Sequence, residues 1–269
     1  MNNMKKECSV LATAVLMAVG LSLTSASAAS IEIVETYPLN PDGRVHVENT
    51  NGRIHVRAWK GEGVKLVAIK KGRTEAVAEA IQVHVVAEAD SLKITTELAK
   101  RSGLFGSMKR EGEVDYTLHL PAGARLETVK NVNGSVTVEG ITGSVRASTV
   151  NGRITGRDLG GPLELTTVNG TVTCEHVAPR EGELLKIQTV NGAIELQLPA
   201  ESDAQLNARA VNGSVQSELK LSDVDEGRSR LRGRLGEGGA KLELNTVNGG
   251  IRLREGRVAE SGGKESADL

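Results

Sequence analysis

Residues 145–174 read VRASTVNGRITGRDLGGPLELTTVNGTVTC, and this stretch decides the fold. It carries Thr149-Val150-Asn151-Gly152 and Thr167-Val168-Asn169-Gly170, each flanked by apolar residues at alternate positions. The tetrad returns at Thr189-Val190-Asn191-Gly192 and Thr246-Val247-Asn248-Gly249, its last three residues at Val132-Asn133-Gly134 and Val211-Asn212-Gly213, and the Asn-Gly pair alone at Asn51-Gly52. Steps between successive asparagines are 82, 18, 18, 22, 21 and 36. Most fall in one narrow period, the mark of a repeat architecture, and the two long steps leave room for rungs without the signature.

Aligned on the asparagine, the units share columns. Six positions before it stand Val45, Val145, Leu163, Leu185, Leu206 and Leu242; four before it, Val47, Ala147, Leu165, Ile187, Ala208 and Leu244. Three after it come Ile54, Val136, Ile154, Val172, Ile194, Val215 and Ile251. Period-two alternation on both sides of the pair describes a strand, a corner and a second strand, each with one face to bury. One such unit cannot hide its apolar face alone. Stacking successive units places Val on Val and Leu on Leu along a continuous interior, which is the logic of a solenoid.

The Asn-Gly pair has a second reading, a type I′ hairpin turn between neighbouring antiparallel strands. Hairpins do not require the same columns to recur at every turn, and solenoids do. As solenoid corners, the asparagine amides would stack in a ladder along the coil axis. The expected fold is therefore all-β, a single-domain β-solenoid (β-helix) with T-V-N-G corners. The structural corner residues would be Asn51, Gly52, Asn133, Gly134, Asn151, Gly152, Asn169, Gly170, Asn191, Gly192, Asn212, Gly213, Asn248 and Gly249.

Residues 29–121 are less regular and read as N-terminal strands, a cap and the first rungs, with strands near 31–34, 44–47, 53–57, 64–69, 82–87, 92–96 and 114–120. The Ala- and Glu-rich residues 74–80 predict a short helix. Residues 100–112 read as a mobile loop and 222–234 as a charged excursion with a Gly-rich return. Regular rungs occupy 122–255, and 256–269 reads as a disordered polar tail.

The first 28 residues read as a signal peptide: Lys5 and Lys6, an apolar run over 10–23, then Ala26-Ser27-Ala28, with cleavage after Ala28 or Ala29. A retained transmembrane N-terminus is the other reading, but the run is shorter than the ~20 apolar residues of a span. Export to the periplasm or beyond follows, with no integral membrane anchor in the mature chain. Cys8 leaves with the leader and Cys174 is then alone, so no internal disulfide is available. A net charge of −1 predicts no bulk attraction to nucleic acid or anionic lipid. Tyr37, Trp59, Phe105 and Tyr116 are the only aromatic residues, a thin supply for stacking on sugars or bases.

Several further segments carry a resemblance. Pro41-Asp42-Gly43 before Val45 and Val47, Ala58-Trp59-Lys60-Gly61 before Val64, Leu120-Pro121-Ala122-Gly123, the T-V-N-G series and Gly236-Glu237-Gly238-Gly239-Ala240 before Leu242 resemble the bacterial putative-adhesin family of unknown function, over about residues 30–254. The resemblance implies an exported or membrane-attached β-solenoid. It carries over no catalytic residues.

Chemistry outside that pattern is sparse. Four of His46, His55, His84, His119 and His176 stand between apolar neighbours in strands and should face outward; His46 and His55 could meet across the first corner. Two histidines without a carboxylate or thiolate make a poor metal site, so all five are read as solvated surface residues. Cys174 shares a column with Val138, Leu196 and Leu253 and should pack inward as a small hydrophobe. Asp90, Asp115, Asp158 and Asp203 are scattered. Glu139, Glu164, Glu195 and Glu243, interleaved with Arg153, Lys186 and Arg252, read as ordinary charge mixing rather than a glycosidase pair. Residues 236–239 lack the Lys-Ser/Thr ending of a phosphate loop. No cofactor and no catalytic residue is expected. The leading expectation is a non-catalytic adhesin-like or structural protein that meets a cell-envelope protein or polysaccharide. An envelope sensor or assembly partner using the loops at 100–112 and 222–234, and a carbohydrate-active enzyme, are the alternatives.

Overall fold

The protein is described by a computed structural model over residues 29–102 and 108–256. The expected signal peptide, with Cys8, and residues 257–269 of the expected tail lie outside these. The N-terminal part runs β1 (Ala29–Tyr37), β2 (Arg44–Glu48), β3 (Ile54–Trp59), β4 (Val64–Gly72), helix α1 (Glu75–Ala80), β5 (Gln82–Glu88), β6 (Ser91–Glu97), β7 (Ala99–Ser102), β8 (Met108–Glu111) and β9 (Glu113–Pro121). The chain continues through β10 (Arg125–Lys130), β11 (Val136–Glu139), β12 (Val145–Asn151), β13 (Ile154–Leu159), β14 (Leu163–Asn169), β15 (Val172–His176), β16 (Leu184–Asn191) and β17 (Ile194–Leu198). It ends with β18 (Ala204–Asn212), β19 (Val215–Ser217), β20 (Ser222–Gly227), β21 (Arg230–Leu235), β22 (Ala240–Asn248) and β23 (Ile251–Glu255).

Two large mixed sheets result. The ten-stranded one has the order β1-β4-β9-β3-β11-β13-β15-β17-β23-β19, and the eleven-stranded one β20-β21-β18-β22-β16-β14-β12-β10-β2-β6-β5. The two strands flanking each Asn-Gly pair belong to different sheets, so the pair turns a corner and is not a hairpin. Between the ends all pairing is parallel and the columns lie in register: Val145, Leu163, Leu185 and Leu242 in one line, Ile154, Val172, Ile194 and Ile251 in another. The unit beginning at Arg125 fits only through a bulge between Leu126 and Val129, which restores Leu126 to the line of Val45 and Val145. The inward positions of both sheets form one buried apolar core. Each fully buried aliphatic side chain contributes roughly 1.5–3 kcal/mol.

Three expectations need correction. The rungs do not stack in chain order: β22 pairs with β16 on one side and β18 on the other, so the last corner lies between two earlier ones. At the opposite end β6 and β9 lie outside β2 and β3. Every rung offers the same parallel edge and the same apolar columns, so pairing does not require adjacency in the chain. Residues 100–112 are not simply a loop, because β7 and β8 pair antiparallel. Residues 222–234 likewise form the antiparallel hairpin β20–β21 on the outer edge of β18.

At the N-terminal end β4 runs antiparallel to β9, and β1 to β4, while β5 runs antiparallel to β6. The Oγ1 of Thr74 accepts from the Val77 N–H at 3.3 Å and starts α1, whose Ala78 is buried.

Candidate functional site

The corner assigns each letter of T-V-N-G a task. Thr149, Thr167, Thr189 and Thr246 point inward, and each hydroxyl donates at 3.0 Å to the carbonyl of the corner glycine one rung below: Gly134, Gly152, Gly170 and Gly192. At the same position Asn131 donates its amide to Gly52 O at 2.7 Å, and Asn49 donates to Val114 O at 2.8 Å. The asparagines form a ladder in which each Nδ2 donates to the Oδ1 of its neighbour at 2.7–2.9 Å, in the spatial order Asn51, Asn133, Asn151, Asn169, Asn191, Asn248, Asn212. Beyond Asn51 the amide donates to Gly112 O at 3.0 Å.

Glycine is required for clearance. A Cβ on Gly170 would stand 1.9 Å from Gly152 O, and the overlap at Gly52, Gly134, Gly152, Gly192, Gly213 and Gly249 is similar, at 1.9–2.2 Å from a backbone oxygen. Val150, Val168, Val190, Val211 and Val247 are 37–56% exposed, because the alternation puts threonine on the inner phase and its successor on the outer.

The charged chemistry lies on the outer face of the ten-stranded sheet. Register places Lys65, His119, Arg57, Glu139 and Arg157 side by side on β4, β9, β3, β11 and β13. Arg57 donates through Nε at 3.0 Å and Nη2 at 2.9 Å to Oε2 of Glu139, His55 Nε2 lies 3.1 Å from the same oxygen, and Arg157 Nη1 donates to Oε1 at 2.7 Å. Burial would raise the Glu139 carboxyl, but these three donors bring it down to about 2. His119 is held below its ordinary value by burial and by the neighbouring Lys65, Arg57 and His55. Trp59 lies 5.8 Å from the His119 ring and donates Nε1–H to Gly63 O at 3.1 Å.

Asp115 forms a second knot: its carboxylate meets Arg53 at 3.0 Å and Lys71 at 2.7 Å, and these bonds outweigh burial and lower its pKa. On the opposite sheet Arg146, Glu164, Lys186 and Glu243 alternate in sign, with Arg146–Glu164 at 2.9 Å and Lys186–Glu164 at 3.5 Å.

His46 and His55 do not meet. His46 lies 3.2 Å from Glu48, and His55 sits on the other sheet beside Glu139. His176 is not a surface residue but is 2% exposed, on the inward phase of β15 with Cys174, its Nε2 3.0 Å from Gly161 O and its Nδ1 against Val177 O. Cys174 is fully buried, which pushes its thiol up to about 12. Among the described residues, no group of three or more His, Cys, Asp or Glu is placed to hold a metal ion, and no helix is long and apolar enough to cross a membrane.

Parallel rungs, a corner ladder and two charged outer faces define an all-β, solenoid-like repeat protein. Residues 24–254 match the Toastrack DUF4097 family, and the chain belongs to it. No curated protein matches the chain. A putative cell adhesion protein from Clostridium sporogenes is similar in fold, with 11% identity and a TM-score of 0.52 over 85% of this chain and 100% of that one. A putative adhesin from Bacteroides fragilis gives 14% identity and a TM-score of 0.42 over 83% of this chain and 97% of that one. A putative lipid binding protein from Parabacteroides distasonis gives 9% and 0.30 over 85% and 97%.

Proposed function

We propose that this chain is an exported, non-catalytic β-solenoid of the bacterial cell envelope, adhesin-like or structural, whose outer flanks engage an envelope component. The observation that carries this reading is the fixed register of the rungs, which holds outward side chains in straight rows across each sheet. Such rows form an extended contact surface that needs little ordering on binding. The name of the Clostridium relative, a cell adhesion protein, points the same way. The antiparallel strands at either end serve as caps: β1, β4 and β5 at one, β20 and β21 at the other. They cover the edges of both sheets at the N-terminal end, and the edge of the eleven-stranded sheet at the other, where a further rung would otherwise add.

The test is direct binding of the purified chain to intact envelopes of the source bacterium, read by co-sedimentation. Saturable binding is expected. A chain that stays in the supernatant at every concentration defeats the reading. Mass spectrometry of the exported form should give an N-terminus at Ala29 or Ser30.

A further inference from the structure

We propose that the outer face of the ten-stranded sheet binds an anionic, carboxylate-bearing polysaccharide across Arg57 and Arg157, with Lys65 and His119 extending the site and Trp59 at its border. The inference rests on the envelope-binding reading above and names the ligand class.

The argument begins with an imbalance. The row on the eleven-stranded sheet alternates Arg146, Glu164, Lys186 and Glu243, which is sufficient if mutual neutralisation is the only purpose. The row on the ten-stranded sheet reads Lys65, His119, Arg57, Glu139, Arg157, with one carboxylate among three permanent cations and a histidine. The next strand bounds it with acid, since Arg157 and exposed Asp158 lie at a bulge opposite Glu175. Isolated exposed ion pairs add little stability, so holding extra cations together is not explained by the fold's own needs.

Geometry then selects the ligand. Arg57 and Arg157 flank Glu139 on the strands either side of it, so their Cα atoms lie about 9.5 Å apart, two inter-strand steps. Their side chains are 54% and 57% exposed, and each keeps guanidinium N–H groups that Glu139 does not use. A planar guanidinium matches a carboxylate in a two-point contact. The separation suits acidic groups on alternate units of an extended sugar chain. In the adjacent row the outward Thr117, Thr137 and Thr155 supply hydroxyls suited to sugar hydroxyls. On the other side of the cationic row Trp59, the single tryptophan of the chain, offers an amphipathic ring against His119. Single-stranded nucleic acid would need a series of stacking rings, and this row has one. Glu139 is the resident occupant: its carboxylate takes guanidinium donors of both arginines that an incoming carboxylate would otherwise use.

The test measures binding of the purified chain to immobilised polygalacturonate, with dextran, duplex DNA and phosphatidylglycerol vesicles alongside. R57Q/R157Q should weaken polygalacturonate binding by about tenfold or more, since each lost charged hydrogen bond is substantial. R146Q/K186Q, which removes the same charge from the opposite face, should leave binding unchanged. E139Q should bind severalfold more tightly, because it removes the internal competitor; a merely structural Glu139 gives no such gain. Thermal melts show that each variant is folded. Equal losses in the two double variants, an E139Q chain that binds no better than the parent, or DNA or vesicles bound as tightly as polygalacturonate would each overturn the proposal. A chain that adheres to envelopes yet ignores polygalacturonate defeats this inference and leaves the envelope reading standing; a chain that does neither defeats both.

Discussion

The rungs in the middle of the coil and those at its two ends differ most at one position, two residues before the corner asparagine. In the middle it is threonine, at 149, 167, 189 and 246, and each hydroxyl satisfies a glycine carbonyl of the rung below. Toward the N-terminal end the same place holds Asn131 and Asn49, whose longer amides reach Gly52 O and Val114 O. At the last rung of the stack it is Ala210, which has no donor to offer Gly249. The corner backbone is common to all three, but its satisfaction by side chains depends on depth in the stack.

The contrast can be broken hardest from the core. Ile187→Asp places an unpaired charge in the buried column of the middle rungs and should cost about 4 kcal/mol or more, whereas outward Glu195→Ala should stay within about 0.5 kcal/mol. Urea melts that give the two variants equal midpoints would contradict the inward assignment. Next comes the corner glycine: Gly170→Ala puts a Cβ 1.9 Å from Gly152 O, so the rungs must part, at about 3 kcal/mol. Gly182→Ala has nothing within 4 Å and only its φ of +81° to oppose it, so about 1 kcal/mol is expected.

A smaller effect addresses position 210 itself. Thr167→Val keeps the shape and removes the donor, leaving Gly152 O short of a partner at roughly 1–2 kcal/mol. Ala210→Thr supplies the missing hydroxyl near Gly249 and should raise the melting midpoint slightly. A fall in stability would show that the terminal rung is not shaped like the others.

The smallest effect is electrostatic. The folded Glu139 carboxyl is lowered from 4.5 to about 2, so its contribution is complete above pH 4.5 and is lost as the pH falls toward 2. The stability difference between the parent and Glu139→Gln should therefore shrink over that window. Solvent around the half-exposed Arg57 and Arg157 keeps it modest.

The columns were legible in the sequence because period-two spacing and a recurring corner are one-dimensional signals. Val45, Leu163, Leu185 and Leu242 needed only counting. The outward valines follow from phase rather than from apolar character: Leu165 and Thr167 face in, so Val168 must face out. His176 was missed for a related reason, since the phase set by Val172 and Cys174 carries it inward despite its polarity. The charged row was invisible because Lys65, His119, Arg57, Glu139 and Arg157 come from five strands, with β9 falling outside β3 against chain order. No spacing in the sequence encodes that adjacency.

Placing β22 between β16 and β18 also sets a timetable for the emerging polypeptide. Residues 204–217 are made before the layer they rest on, so they must wait until residues 240–255 arrive and slide underneath. A chain cut short after residue 239 would strand them with no floor.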